Sequence, residues 1–85
     1  MKRFKVHFLL DGGHKVEMYL TYSTEKCTVK TIRDTFKKMI DNSRKGIENP
    51  LIIGTKSLKH GDTDEMIVVP SKICSFEITE IIGNI

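Results

Sequence analysis

Long apolar runs are missing from this chain. No stretch approaches the roughly 20 consecutive apolar residues that span a bilayer. The basic start Met1-Lys2-Arg3-Phe4 is followed by apolar residues that alternate with Lys5 and His7, not by the continuous block of a signal peptide. No membrane partner is expected, and the expected location is the cytoplasm. Cysteine is scarce as well: Cys27 and Cys74 have no short spacing, so they read as two reduced thiols and not as a disulfide or half a zinc site. Repeats and low-complexity tracts are absent, and an apolar fraction of 39% beside a charged fraction of 29% is that of a globular protein. At 85 residues, the chain has room for one domain over 1–85 and one core, and a sizeable enclosed active site would be hard to fit.

Catalytic signatures are equally scarce. His7, His14 and His60 form no H-x-H or H-x-x-x-H pair, and none has a cysteine partner nearby. His60-Gly61-Asp62-Thr63-Asp64-Glu65 gathers oxygen atoms around one imidazole, yet it lacks the glycine and the distal glutamate of a calcium loop. Ser23-Thr24-Glu25-Lys26 fits an S-x-x-K pattern without its companion motifs. Gly54-Thr55-Lys56-Ser57 lacks the Gly-Lys adjacency of a phosphate loop. Nothing matches a deaminase or a nucleophile elbow. The reading is a protein that is not an enzyme, with no catalytic residue, no metal ligand and no cofactor.

What is present is patterning. Phe4, Val6, Phe8 and Leu10 share one parity, and Val16, Met18, Leu20 and Tyr22 share another, a period of two that marks half-buried strands. Asp11-Gly12-Gly13 between them supplies the positive backbone dihedrals of a tight reversal. Thr28 is then a helix N-cap, and Val29, Ile32, Phe36, Met39 and Ile40 recur at helical spacing until Gly46 stops the helix. Asn49-Pro50 breaks the chain before Leu51-Ile52-Ile53, which reads as a buried or edge strand bounded by Gly54. Lys56 to Glu65 reads as an exposed loop, and Met66 to Val69 as a short strand ended by Pro70-Ser71-Lys72. In the last strand, from about Ile73, Cys74, Phe76, Ile78 and Ile82 take the apolar parity, and Ser75, Glu77 and Thr79 the wet one.

The predicted fold is two-layer α+β: one amphipathic helix packed on an antiparallel sheet, in the order ββαβββ. A small open β-barrel with an inserted helix is the alternative.

Two surfaces carry the functional expectations. Residues 1–45 hold eleven Lys and Arg against five Asp and Glu, whereas residues 46–85 hold three against six. On the helix Lys30, Lys37 and Arg44 recur every seven residues with Arg33 beside them, a row able to track phosphates, so nucleic acid is the second-choice partner. The first choice is a protein partner, or a second copy in a homodimer. It would be bound through a sheet edge at Leu51 to Ile53 or Glu80 to Ile85, or through the open sheet face. That face, as read from parity, carries Lys5, His7, Lys15, Glu17, Tyr19, Thr21, Ser75, Glu77 and Thr79, with Tyr19 its one aromatic, which argues against base stacking. Leu9, Ile73 and Ile81 fall on its parity and would form a small apolar patch there. The expected interface set is thus Leu9, Tyr19, Ile73, Ile81, Ile82 and Ile85. In composition alone the chain resembles the small accessory proteins of AT-rich bacteria and their phages, which implies an interaction role.

Overall fold

The computed structural model describes residues 1–58 and 64–82. Strands β1 (Lys2–Leu10) and β2 (Lys15–Tyr22) pair antiparallel, with Phe4 opposite Leu20, Val6 opposite Met18 and Phe8 opposite Val16. These pairs face one way, and five of the six residues are buried. The reversal between the strands places Gly12 at φ 86° and Gly13 at φ 82°, a region that side-chain-bearing residues rarely occupy. The Gly13 N–H donates to the Leu10 carbonyl at 3.1 Å and closes the turn.

Helix α1 (Val29–Arg44) begins and ends where its local chemistry dictates. Thr28 Oγ1 accepts from the Thr31 N–H at 3.2 Å, which satisfies one of the donors that a helix start leaves bare. At the other end Gly46, at φ 72°, donates to the Ser43 carbonyl, and Ile47 donates to that of Asn42. This pair of bonds is a Schellman closure, and the positive φ it requires suits glycine. Ile32 and Phe36 on the apolar stripe are buried, with Val29, Met39 and Ile40 packed beside them. The Phe36 ring lies 5.7 Å from Phe8 on β1 and 5.6 Å from Phe76 on the last strand.

Strands β3 (Ile52–Thr55) and β4 (Glu65–Val68), a 3-10 turn at Pro70–Lys72 and strand β5 (Ile73–Ile81) complete the chain. The sheet order is β4-β3-β2-β1-β5, antiparallel throughout. The helix covers one face, lying along β5 and the 3-10 turn, and the sheet stays open, with β4 and β5 as its edges. It does not close into a barrel. Leu51 to Ile53 is not an edge either, because β3 runs between β2 and β4.

The last strand departs from simple alternation at its start. Leu9 pairs with Ser75, but Leu10 pairs with Ile73, so Cys74 is an extra residue in a bulge. A bulge reverses parity on its far side. Ile73 therefore turns into the core, 1% exposed, and is not part of any interface, while Cys74 faces solvent instead of the apolar side.

The junction of β2 with β3 is narrow, with Tyr19 opposite Thr55 as its one ladder pair. Gly54 makes it possible. A Cβ there would stand 2.7 Å from Met18 Sδ and 2.8 Å from the Tyr19 carbonyl oxygen, and a backbone atom cannot swing aside. Gly54→Ala is expected to cost about 1–3 kcal/mol by overpacking. Hydrogen exchange should quicken first in β3 and β4, and uniform protection unchanged from the parent would refute the narrow junction. Phe36→Ala, which empties the space between the Phe8 and Phe76 rings, is expected to cost about 3–5 kcal/mol. A denaturation midpoint equal to the parent's would show that the helix is held elsewhere.

Candidate functional site

The strands divide into two kinds. In β1 and β2 every second residue but Leu9 is polar or charged, and the sheet face away from the helix takes those residues. The hairpin β3–β4 has apolar residues on both sides. Ile52 and Val68 point into the core at 3% and 4% exposure, whereas Ile53 and Ile67, paired across the strands, point away from it at 52% and 58%. Leu51 and Val69 flank them, 50% and 45% exposed. Alternation puts all four on one surface. A strand apolar on both faces is the pattern of a sheet covered on both faces, yet the helix covers only one.

Beside this patch the open face turns polar. Tyr19, Thr21, Ile53, Thr55 and Glu65 line a shallow depression of about 290 Å³ over the β2–β3 junction. Tyr19 Oη donates to Glu17 Oε1 at 3.1 Å, Lys5 Nζ stands 3.4 Å from the same oxygen, and His7 Nδ1 is 3.5 Å from Glu17 Oε2. Partial desolvation pushes the Glu17 carboxyl up, but the Tyr19 hydroxyl and the Lys5 ammonium outweigh it and hold the group below the usual carboxylate range. Glu17 is thus an acceptor that fixes three neighbours, and its lowered pKa is opposite to what a general acid at neutral pH needs. Among the described residues, no three His, Cys, Asp or Glu side chains converge in the manner of metal ligands. The candidate oxygen-rich loop has His60, Gly61, Asp62 and Thr63 outside the described residues.

The remaining expected positions scatter. Leu9 lies opposite Lys15 and Ser75 at one end of β1, and Ile81 lies opposite Arg3 at the other, about 20 Å away along the strand. With Ile73 buried, the three do not form a patch. Ile82 is 88% exposed just past the end of β5, and Ile85 is outside the described residues. Tyr19 does sit on the open face, half-buried beside Ile53. The sequence reading takes Leu51 to Ile53 as an edge and passes over Ile67 and Val69, because each run is apolar at both parities and names no outer side. That double apolarity was itself the available signal.

Lys30, Arg33, Lys37 and Arg44 are all exposed on the helix. Asp34 lies one turn from Lys30 and Lys37, and Asp41 one turn from Lys37 and Arg44, so the row alternates in sign. Arg44 is also committed to the fold: its Nη2 donates to the Ile73 carbonyl at 2.6 Å. A phosphate backbone would meet a mixed surface there. Among the described residues no helix is long and apolar enough to cross a membrane.

No family model, curated protein or solved structure matches this chain.

Both thiols are free, Cys27 buried and Cys74 exposed. Cys74 Sγ donates to Asp11 Oδ1 at 3.0 Å, tying the bulge to the β1–β2 turn. That bond, with some desolvation and the Asp11 charge, pushes the Cys74 thiol above its ordinary value despite Arg44. A thiol raised on folding stabilises the fold below its unfolded pKa, and this contribution is lost as pH rises through the folded value. Cys74 is thus a poor nucleophile despite its exposure. In a Cys27→Ser background, iodoacetamide at pH 8 is expected to react several-fold faster with Cys74 after Asp11→Asn. Equal rates would show that the carboxylate does not hold the proton.

Proposed function

We propose that this chain is a non-enzymatic, cytoplasmic protein-interaction domain that docks a protein partner on the outer side of the β3–β4 hairpin. One observation carries the reading: the hairpin is apolar on both faces while the single helix covers one. Each of Leu51, Ile53, Ile67 and Val69 keeps about half its surface in water. Completing the burial of such a side chain contributes on the order of 1 kcal/mol, half of what burying it fully gives. Four side chains side by side form the kind of contiguous apolar patch that marks contact surfaces on soluble proteins. The polar ground around it, with Glu17 and Lys5 paired at 3.4 Å, suits a rim. Two free thiols support a reducing compartment. The alternating signs along the helix leave the nucleic-acid reading without the continuous basic row it needs.

The test is site-specific photocross-linking in the cell that makes the protein. A benzophenone amino acid at position 53 or 67 is expected to yield a discrete protein adduct, whereas the same group at position 37 on the helix or 79 on β5 yields none. Absence of any adduct at 53 and 67, or equal labelling at all four positions, would end this reading.

A further inference from the structure

Building on that docking surface, we propose that a second copy of this chain adds to the outer edge of β4, antiparallel, with the two Ile67 residues facing each other on a twofold axis. The hydrogen-bond phase of the hairpin sets which backbone groups of β4 face outward. Lys56 N–H donates to the Asp64 carbonyl at 3.3 Å, one step beyond the Thr55–Glu65 pair. Lys56 and Asp64 are thus a hydrogen-bonded pair. Antiparallel ladders alternate, so the backbone groups of Met66 and Val68 face β3, and those of Glu65, Ile67 and Val69 face outward. Among the described residues no strand pairs with that outer side.

The outward groups are their own complement. The Val69 carbonyl already accepts from Lys72 N–H at 3.0 Å. What remains is the N–H and carbonyl of Ile67, with the N–H and carbonyl of Glu65 on one side and the Val69 N–H on the other. A twofold axis at Ile67 lets the two Ile67 residues exchange both their bonds. It also brings each Val69 N–H onto the other copy's Glu65 carbonyl, and each Glu65 N–H onto the second lone pair of the other copy's Val69 carbonyl.

The side chains favour the same register. Parity is kept, so both patches lie on one face, and the two Ile67 side chains meet between the two Ile53 side chains in one apolar row. Each Glu65 stands opposite a Val69, and no carboxylate meets another. Centring the pair on Met66 instead would set each Glu65 beside an Ile67 and interrupt that row. The other edge is better guarded, because β5 carries Glu77 and Glu80, and symmetric addition about Glu77 would oppose like charges.

An interface this short fits a dissociation constant on the order of tens of micromolar. Sedimentation equilibrium across the micromolar range is expected to show a monomer–dimer equilibrium. Ile67→Glu should abolish it while circular dichroism and the thermal midpoint stay those of the parent. In a Cys27→Ser, Cys74→Ser background, Ile67→Cys should be trapped as a covalent dimer on air oxidation, because the facing Cα atoms lie about 5.5 Å apart. Glu65→Cys should not be trapped, its two copies standing about 13 Å apart. A monomer at every concentration, a dimer that Ile67→Glu leaves intact, or one that Ile67→Cys fails to trap would overturn the inference. A monomer that nevertheless gives adducts with a different protein from positions 53 and 67 would sink self-association and leave the docking reading standing.

Discussion

Everything on the helix side of this molecule depends on one ring placed between two others. Phe36 packs on Phe8 and Phe76, and those two belong to neighbouring strands, their own rings 6.4 Å apart. The three contacts therefore join helix, first strand and last strand at one point. Aromatic pairs of this kind contribute about 0.5–1.5 kcal/mol each beyond their buried area. The geometry also fixes the helix over the β1–β5 half of the sheet, where Arg44 reaches the Ile73 carbonyl and Asp11 reaches Cys74. Ile52 and Val68 on the same face of β3 and β4 belong to the core too, so the sheet has one covered face and one open one.

That asymmetry underlies the proposed docking surface. One sixteen-residue helix covers one face of the five-stranded sheet, so the opposite face of every strand meets water. An alternating sequence would tolerate this, as β1 and β2 do. The β3–β4 hairpin instead carries isoleucines outward and is joined to β2 through a single ladder pair above a glycine. An apolar outer face, an outward-facing backbone edge and a narrow attachment coincide on one element. Their coincidence supports an interaction role more than any one of them would alone.

Legibility in the sequence followed the range of the physics involved. The Thr28 cap, the stop at Gly46 and the Gly12-Gly13 reversal depend on neighbours within a few residues, and each was read where it occurs. The assignment of Ile73 to the open face failed because a bulge at Cys74 is a two-strand event: parity within one strand carries no record of where its partner skips a residue. The basic row on the helix was legible as spacing. The carboxylates interleaved one turn away were visible too, but the tie of Arg44 to Ile73 spans 29 positions and was not.

By itself the sequence determined the element types, the helix stripe with its two ends, the two-layer α+β class and the core faces of the first hairpin, since period and capping are local properties of the chain. Tertiary structure alone decided that β3 lies inside the sheet with β4 at its edge, that Ile73 is core, and that Leu51, Ile53, Ile67 and Val69 share an uncovered face. The reason is physical: a strand apolar at both parities is compatible with either side inward. The one helix, held by Phe36 against Phe8 and Phe76, makes one face of the sheet the core and leaves the other face bare.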